Sequence, residues 1–383
     1  MNNISPKNYD DEILEYFASA APGTEHALCD ELRELGFKSV RLNKGGIPFR
    51  GNRYEGWRAC LQSRIAQRIQ VVMSRFTAEN QQELYNGIAA VDWTKFITYQ
   101  QTICISAFCA ASNINHSGFA ALKAKDAVVD QIRDADKKMR RPSVSKDNAD
   151  VKLFIYILKN KVTVYLDISG EPLHKRGYRK TTGDAPLRET LAAAILRLSK
   201  WDKKIPLIDP LCGSGTIPIE AALMASDFAP GLFREQFGFE KWADFNPDSE
   251  SVLREIKGKL RSLVHPPSVS IQASDISSQM VESTKINAKN ARVKISIKER
   301  SVLNFQSSKP SVIVTNPPYD VRLDASAALR HDISSAVCRM HKCRVALYAG
   351  HPDYKKFISA KPLDELLIPN GNIECSLLIY DIP

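Results

Sequence analysis

Residues 206–225 read PLIDPLCGSGTIPIEAALMA, and the order of events within them decides the fold. The apolar run PLIDP has the length and composition of a buried strand, CGSG is a tight turn of small residues, and TIPIEAALMA is helical text. Strand, glycine turn and helix in succession open an α/β unit whose turn holds a ligand. Small residues let a ligand approach the backbone, and the helix N-terminus presents unpaired N–H groups to it. Asp209, Pro210, Cys212, Gly213, Ser214, Gly215 and Thr216 are therefore the candidate binding residues.

Outward from this turn the same alternation continues. Upstream, residues 187–201 (LRETLAAAILRLSKW) read as a helix. Downstream, VSIQAS, VKISIK, SVIVT and RVALYAG are strand-like runs separated by helical text, and residues 366–382 read as a strand pair closing the sheet. The fold class expected is α/β, a doubly wound, Rossmann-like and mostly parallel sheet. Ligands in such sheets bind outside the C-terminal strand ends, so the loops after those strands are where chemistry belongs.

Three ligand classes compete for the glycine turn. A P-loop needs Gly-Lys-Ser/Thr, which is missing, and a dinucleotide fingerprint needs a third small residue where this chain has Pro218. With acidic Asp209 leading the turn, the better fit is the S-adenosylmethionine loop of class I methyltransferases. Asp275, after the next strand, can accept both ribose hydroxyls of an adenosine; a helix cap from Asp275 or Ser277 is the plainer alternative.

Asn316-Pro317-Pro318-Tyr319 follows the strand SVIVT. An exocyclic base amine is a poor nucleophile because its lone pair is delocalised into the ring. Two acceptors that take its hydrogens, the Asn316 side-chain oxygen and the Pro317 carbonyl, localise that lone pair. The prolines stiffen the loop, and Tyr319 is placed to stack on the target base. Asn-Pro-Pro is also ordinary turn chemistry. No metal or covalent intermediate is required.

The first half reads as α+β: a helix over 24–36, a hairpin of SVRLN with IPFRG, an amphipathic helix beginning at residue 55 and running into a short strand, and a helix over 82–96. A strand (102–110), a long helix (118–141) and a hairpin across Lys159-Asn160-Lys161 follow. Residues 41–180 carry 24 Lys/Arg against 12 Asp/Glu, while residues 181–383 carry 26 against 23, so the formal charge of +10 arises in the first half. A basic module beside a near-neutral one fits a polyanion binder joined to a catalytic domain, although solvated lysines would give the same count. Arg58, Arg64 and Arg68 recur on one polar helical face and are the candidate RNA contacts. Eight cysteines without a dense framework, no bilayer-length apolar run and no leader at the N-terminus predict a cytoplasmic protein with reduced thiols; Cys104/Cys109 and Cys338/Cys343 lack the spacing of zinc pairs.

DPLCGSGT (209–216), APLRETLAAA (185–194), SGEPLHKRGYR (169–179) and NPPY (316–319) together resemble the THUMP-domain RNA methyltransferases, and among them the bacterial large-subunit (23S) ribosomal RNA guanine-N2 methyltransferases and their stand-alone relatives. AAPGTEHALCDELRELGF, GGIPFRG and PNGNIEC extend the likeness over most of the chain. The resemblance implies an N-terminal ferredoxin-like segment (1–52), a THUMP RNA-binding domain (53–168) and a methyltransferase domain (169–383). It implies that Ala185, Pro186 and Leu187 help hold the cofactor, and that Lys175, Arg176 and Arg179 lie at the junction where family members approach RNA or the cofactor; with Arg322 they are counted as RNA contacts, the expected partner being 23S rRNA or a ribosomal precursor. Ser301 stands where relatives carry an acidic residue for the adenine, and Asp320 where they carry glycine. Adenine-N6 methylation of RNA or DNA, and a non-catalytic RNA-binding or assembly role, are the alternatives.

Overall fold

A computed structural model describes residues 12–183, 186–305, 310–318, 323–339 and 341–383. The first part of the chain runs β1 (Leu14–Ser19), α1 (Glu25–Glu34), β2 (Gly46–Gly51), α2 (Arg53–Gln62), β3 (Arg68–Thr77), α3 (Gln81–Ala89), β4 (Thr102–Ala110), α4 (Ser117–Ala135), β5 (Ser143–Val144), β6 (Val151–Leu158) and β7 (Lys161–Asp167). These strands form one seven-stranded sheet, ordered β2-β1-β3-β7-β6-β4-β5, that is continuous across residue 52. Lys159 and Asn160, both at positive φ, turn the hairpin between β6 and β7.

Two local expectations fail here. IPFRG is a strand, but its partner is β1 rather than SVRLN, whose neighbourhood contributes only a lone bridge, Lys38 to Arg50. Residues 39–45 are largely exposed and have no alternating apolar face to bury, whereas LEYFAS sends Tyr16 and Ala18 into the core. The helix begun at Arg53 stops at Gln62 because buried Glu31 of α1 draws the chain away. Its carboxylate accepts from Ser63 Oγ (2.7 Å), Arg64 N (2.9 Å) and Ile65 N (3.3 Å). The β-branched text that follows then runs as a ten-residue strand.

The second part runs α5 (Glu189–Leu198), β8 (Leu207–Asp209), α6 (Thr216–Ala225), α7 (Pro247–Ser262), β9 (Ile271–Asp275), α8 (Ser278–Asn290), β10 (Ser296–Glu299), β11 (Ser311–Thr315), α9 (Leu323–Cys338), β12 (Cys343–Ala349), α10 (Asp353–Phe357), β13 (Asp364–Leu367) and β14 (Ser376–Ile382). Its sheet is ordered β10-β9-β8-β11-β12-β14-β13, parallel except for β14, which runs against both neighbours. Every residue of β8 and β11 is buried, as expected of central parallel strands covered on both faces. The chain leaves β8 toward β9 on one side and returns to β11 on the other. That reversal is the switch point where doubly wound folds bind ligands.

The core of the first sheet takes in part of the second half of the chain, while the second sheet is packed by clusters of its own. The connection between α6 and β9 reaches back to the first sheet: Phe239 stacks on Trp57 of α2 (4.7 Å, 8°), and Arg53 grips Asp244 with two bonds of 2.7 Å. Gly238 lies so close to Gly170 that an added Cβ would sit 2.7 Å from the Gly170 nitrogen. One cluster of buried residues runs from Tyr16 and Leu28 through Trp57 to Phe239, Leu253 and Ile256. Among the described residues no helix is long and apolar enough to cross a membrane.

Candidate cofactor and acceptor site

The turn after β8 is fixed by its neighbours on every side. Gly213 and Gly215 hold positive φ of 52° and 87°, which glycine alone adopts without strain. An added Cβ on Gly215 would come within 2.7 Å of Thr284 Cγ2, whereas one on Gly213 would meet nothing within 4 Å and would occupy the open space of the cleft. Thr284 Oγ1 donates to the Gly213 carbonyl (2.7 Å). Asn287, also on α8 and buried, uses all its hydrogen-bonding capacity. Its Nδ2 donates to the Ser214 and Thr181 carbonyls (3.0 and 2.9 Å), and its Oδ1 accepts from Lys180 N and Thr181 N (2.9 and 3.2 Å). Asp275 accepts from Gly213 N with Oδ2 and from Ser277 N with Oδ1, both at 2.9 Å, leaving each oxygen a further lone pair. The helix cap is supplied by Ser277, whose Oγ accepts from Met280 N.

Pro186, Leu187, Asp209, Cys212, Gly213, Ser214, Thr216 and Asn316 come together around one cleft, with Gly183, Leu211, Ile217 and Met280. Pro210 is buried behind it, its carbonyl accepting from Ser274 Oγ. Gly215 caps α6. Asp209 and Asn316 converge because β8 and β11 are adjacent parallel strands, and Thr315 Oγ1 donates to Asp209 Oδ1 at 2.7 Å. Burial pushes the Asp209 carboxyl up to about 7, outweighing the bonds from Thr315 and Leu211 N that favour its ionised form. Pro317 is buried and Pro318 exposed. Ala185, Tyr319 and Arg322 lie outside the described residues.

These features fit an adenosylmethionine: an opening at Gly213 that a side chain would fill, backbone N–H groups at the start of α6, and a carboxylate with spare acceptor positions at Asp275. Ser301 caps the short turn after β10, its Oγ accepting from Leu303 N (3.3 Å), while Glu299 lies opposite Asp275 in the ladder. Among the described residues no cluster of three or more His, Cys, Asp or Glu side chains is arranged to hold a metal.

The expected basic face is corrected. Arg58 is buried with its guanidinium over the Phe37 ring (4.3 Å), and Arg64 donates to the Leu223 carbonyl. Arg68 is on β3, not on the helix, and pairs with Asp167 while donating to Gly170 O. Arg176 is 2% exposed: it faces Glu220 (3.5 Å), donates to Leu173 O (2.8 Å) and reaches Arg64 O. Arg64, Arg68 and Arg176 join elements by satisfying acceptors that would otherwise be left open, while Arg58 packs on a ring. Lys175 does stand at the surface, beside Glu171.

Arg179 proves to be a brace of the cleft. Its Nε donates to Glu189 Oε1 (2.7 Å), Nη2 to Leu187 O and Thr216 Oγ1 (2.9 Å each), and Nη1 to Ser214 Oγ (3.5 Å). Thr284, Asn287 and Thr315 were not anticipated; only Thr315 carried a signal, as the residue before Asn-Pro-Pro. His174, whose pKa burial and neighbouring arginines lower to about 4, is neutral at physiological pH.

A parallel sheet with this switch point, a glycine turn after its first strand and Asn-Pro-Pro after its fourth define a class I, Rossmann-like methyltransferase domain. The chain belongs to the family described as the RMKL-like methyltransferase domain, which it matches over residues 176–379. It also matches the THUMP domain over 78–167 and the RlmL ferredoxin-like domain over 15–70. The ribosomal RNA large subunit methyltransferase K/L of Magnetococcus marinus is 39% identical over 83% of this chain and 45% of its own length. The chain thus spans about half the length of several curated relatives. A putative RNA methyltransferase of Synechocystis, slr0064, is 35% identical over 96% of both chains. The solved structure of SMU.472, a putative methyltransferase complexed with SAH, is 27% identical, with a TM-score of 0.86 over 97% of this chain and 99% of that one.

Proposed function

We propose that the chain transfers a methyl group from S-adenosylmethionine to an exocyclic amine of RNA in the cytoplasm, the target being guanine N2 in 23S rRNA. The observation that carries the reading is the meeting of two strand ends: Asn316, after β11, opens on the same cleft as the glycine turn after β8, with Thr315 tied to Asp209 between them. The names of the relatives and the SAH in the SMU.472 structure support the same cofactor and substrate class.

The sulfonium supplies an activated methyl. The chain's own residues hold and orient the acceptor: Asn316 Oδ1 and the Pro317 carbonyl take the two amine hydrogens, so the nitrogen lone pair points into the cleft. Pro186, Leu187 and residues 209–216 hold the cofactor, and Asp275 its ribose.

Nucleoside mass spectrometry of 23S rRNA incubated with the chain and S-adenosylmethionine tests this. N2-methylguanosine is expected, and its absence with the Asn316→Ala variant. N6-methyladenosine instead would move the target to adenine; no methylated nucleoside in any RNA would sink the proposal.

A further inference from the structure

The helices α1 to α4 pack on one face of the first sheet. Ala18, Ile69, Val71, Ile155 and Val164 point into the core shared with α1 to α4. The alternate residues of the same strands put five rings on the other face: Phe17 (β1), Tyr165 (β7), Phe154 and Tyr156 (β6) and Phe108 (β4). Phe17 and Tyr165 are 5.7 Å apart, Tyr165 and Phe154 6.2 Å, and Phe108 lies flat on Tyr156 at 5.4 Å and 9°. Register places them side by side, Tyr165 opposite Phe154 and Tyr156 opposite Phe108. Phe108 is 46% exposed. Phe17, Phe154, Tyr156 and Tyr165 are half-buried beside it, so the row keeps ring surface in contact with water that full burial would have removed.

At the β1 end of this row, Arg41, Arg50 and Arg75 surround Glu15. Arg75 clamps its carboxylate with two bonds of 2.7 Å, Arg50 is its partner across the strand pair, and Arg41 lines the same cleft as Glu15, Phe17 and Tyr165. Three guanidiniums against one carboxylate leave net positive charge beside the rings. Here the excess basic charge of the first half meets aromatic surface, at residues other than the helical arginines.

We propose that this ring-bearing face binds a single-stranded segment of RNA, its bases stacking along the ring row and its phosphates held by Arg41, Arg50 and Arg75. Ring faces accept any base, and guanidiniums pair with phosphate oxygens, so the combination suits an unpaired strand rather than a duplex, whose bases are already stacked. The RNA assignment rests on the function proposed above.

Fluorescence anisotropy of the full chain with a fluorescein-labelled single-stranded RNA of about 12 nucleotides, and with a perfect hairpin of equal length, tests it. Tighter binding of the single strand is expected. Phe108→Ala is expected to weaken it about tenfold. Arg41→Ala with Arg50→Ala should reduce the log–log salt slope by roughly 1.4, about 0.7 for each phosphate contact. All three side chains are exposed, so melting temperatures are expected to hold. Unchanged single-strand affinity in both variants, or equal or tighter binding of the hairpin, would overturn the ring-row site and leave the proposed reaction standing. A wild-type chain that binds adenosylmethionine but neither RNA would overturn both.

Discussion

Asp209 ends β8 with a carboxyl that burial raises to about 7, far above the 3.8 of an exposed aspartate. Between those values the folded chain keeps a proton that the unfolded chain has lost. This group therefore lowers stability as pH rises through that window, and its effect levels off above about 7. A ligand carrying positive charge favours the ionised form, so adenosylmethionine affinity is expected to fall as pH drops below 7, by up to about tenfold per unit, the limit for release of one proton. Titration calorimetry across pH 7 measures this, and Asp209→Asn is expected to flatten the profile; a flat profile in the wild type would refute it. Asn316→Ala is expected to leave cofactor affinity nearly unchanged while lowering the transfer rate about a hundredfold or more, as for loss of one preorganised partner in the transition state. Equal loss of both would count against that role. Arg179→Ala releases Leu187 from Ser214 and Thr216, so the cofactor's Kd is expected to rise about tenfold, and Arg179→Lys is expected not to restore it because an ammonium cannot span the same acceptors. The place of Asn316 at the cleft was legible because its four-residue motif directly follows an apolar strand. Arg179 was placed only as near RNA or the cofactor, because sequence gives an arginine's charge but not the carbonyls and hydroxyls that enclose it.

At the scale of elements, the strand ends and the helix α6 were legible because apolar runs bounded by glycine or proline leave few alternatives. Strand β1 and the end of α2 were not, since both depend on distant partners: β1 on β2 and β3, and the helix stop on Glu31. Helix α8 shows the same limit, because nothing in its sequence distinguishes Asn287, which holds the cleft, from Asn290 at its end. Gly215→Ala forces a left-handed alanine and a Cβ 2.7 Å from Thr284. A loss of about 2 kcal/mol or more is expected in urea unfolding, with weakened cofactor binding. Unchanged stability would mean that α8 yields readily and does not brace the turn.

For the whole molecule, the first sheet shares one set of buried side chains with α5, α7 and the connection between α6 and β9, while the second sheet has clusters of its own. Calorimetry of the full chain is expected to give a single cooperative transition, and two separated transitions would show that the modules unfold independently. Such sharing could not be read from sequence, where the first half reads as a separate module and Phe239 and Trp57 stand far apart. It also makes the chain a caliper. An RNA held on the first sheet would lie at a distance from Asn316 set by the packing of Trp57 on Phe239, Arg53 on Asp244 and Gly238 on Gly170. Target choice would then follow from span: the flipped base must lie a set number of nucleotides from the gripped strand, and an RNA longer or shorter by a few would be held but not modified.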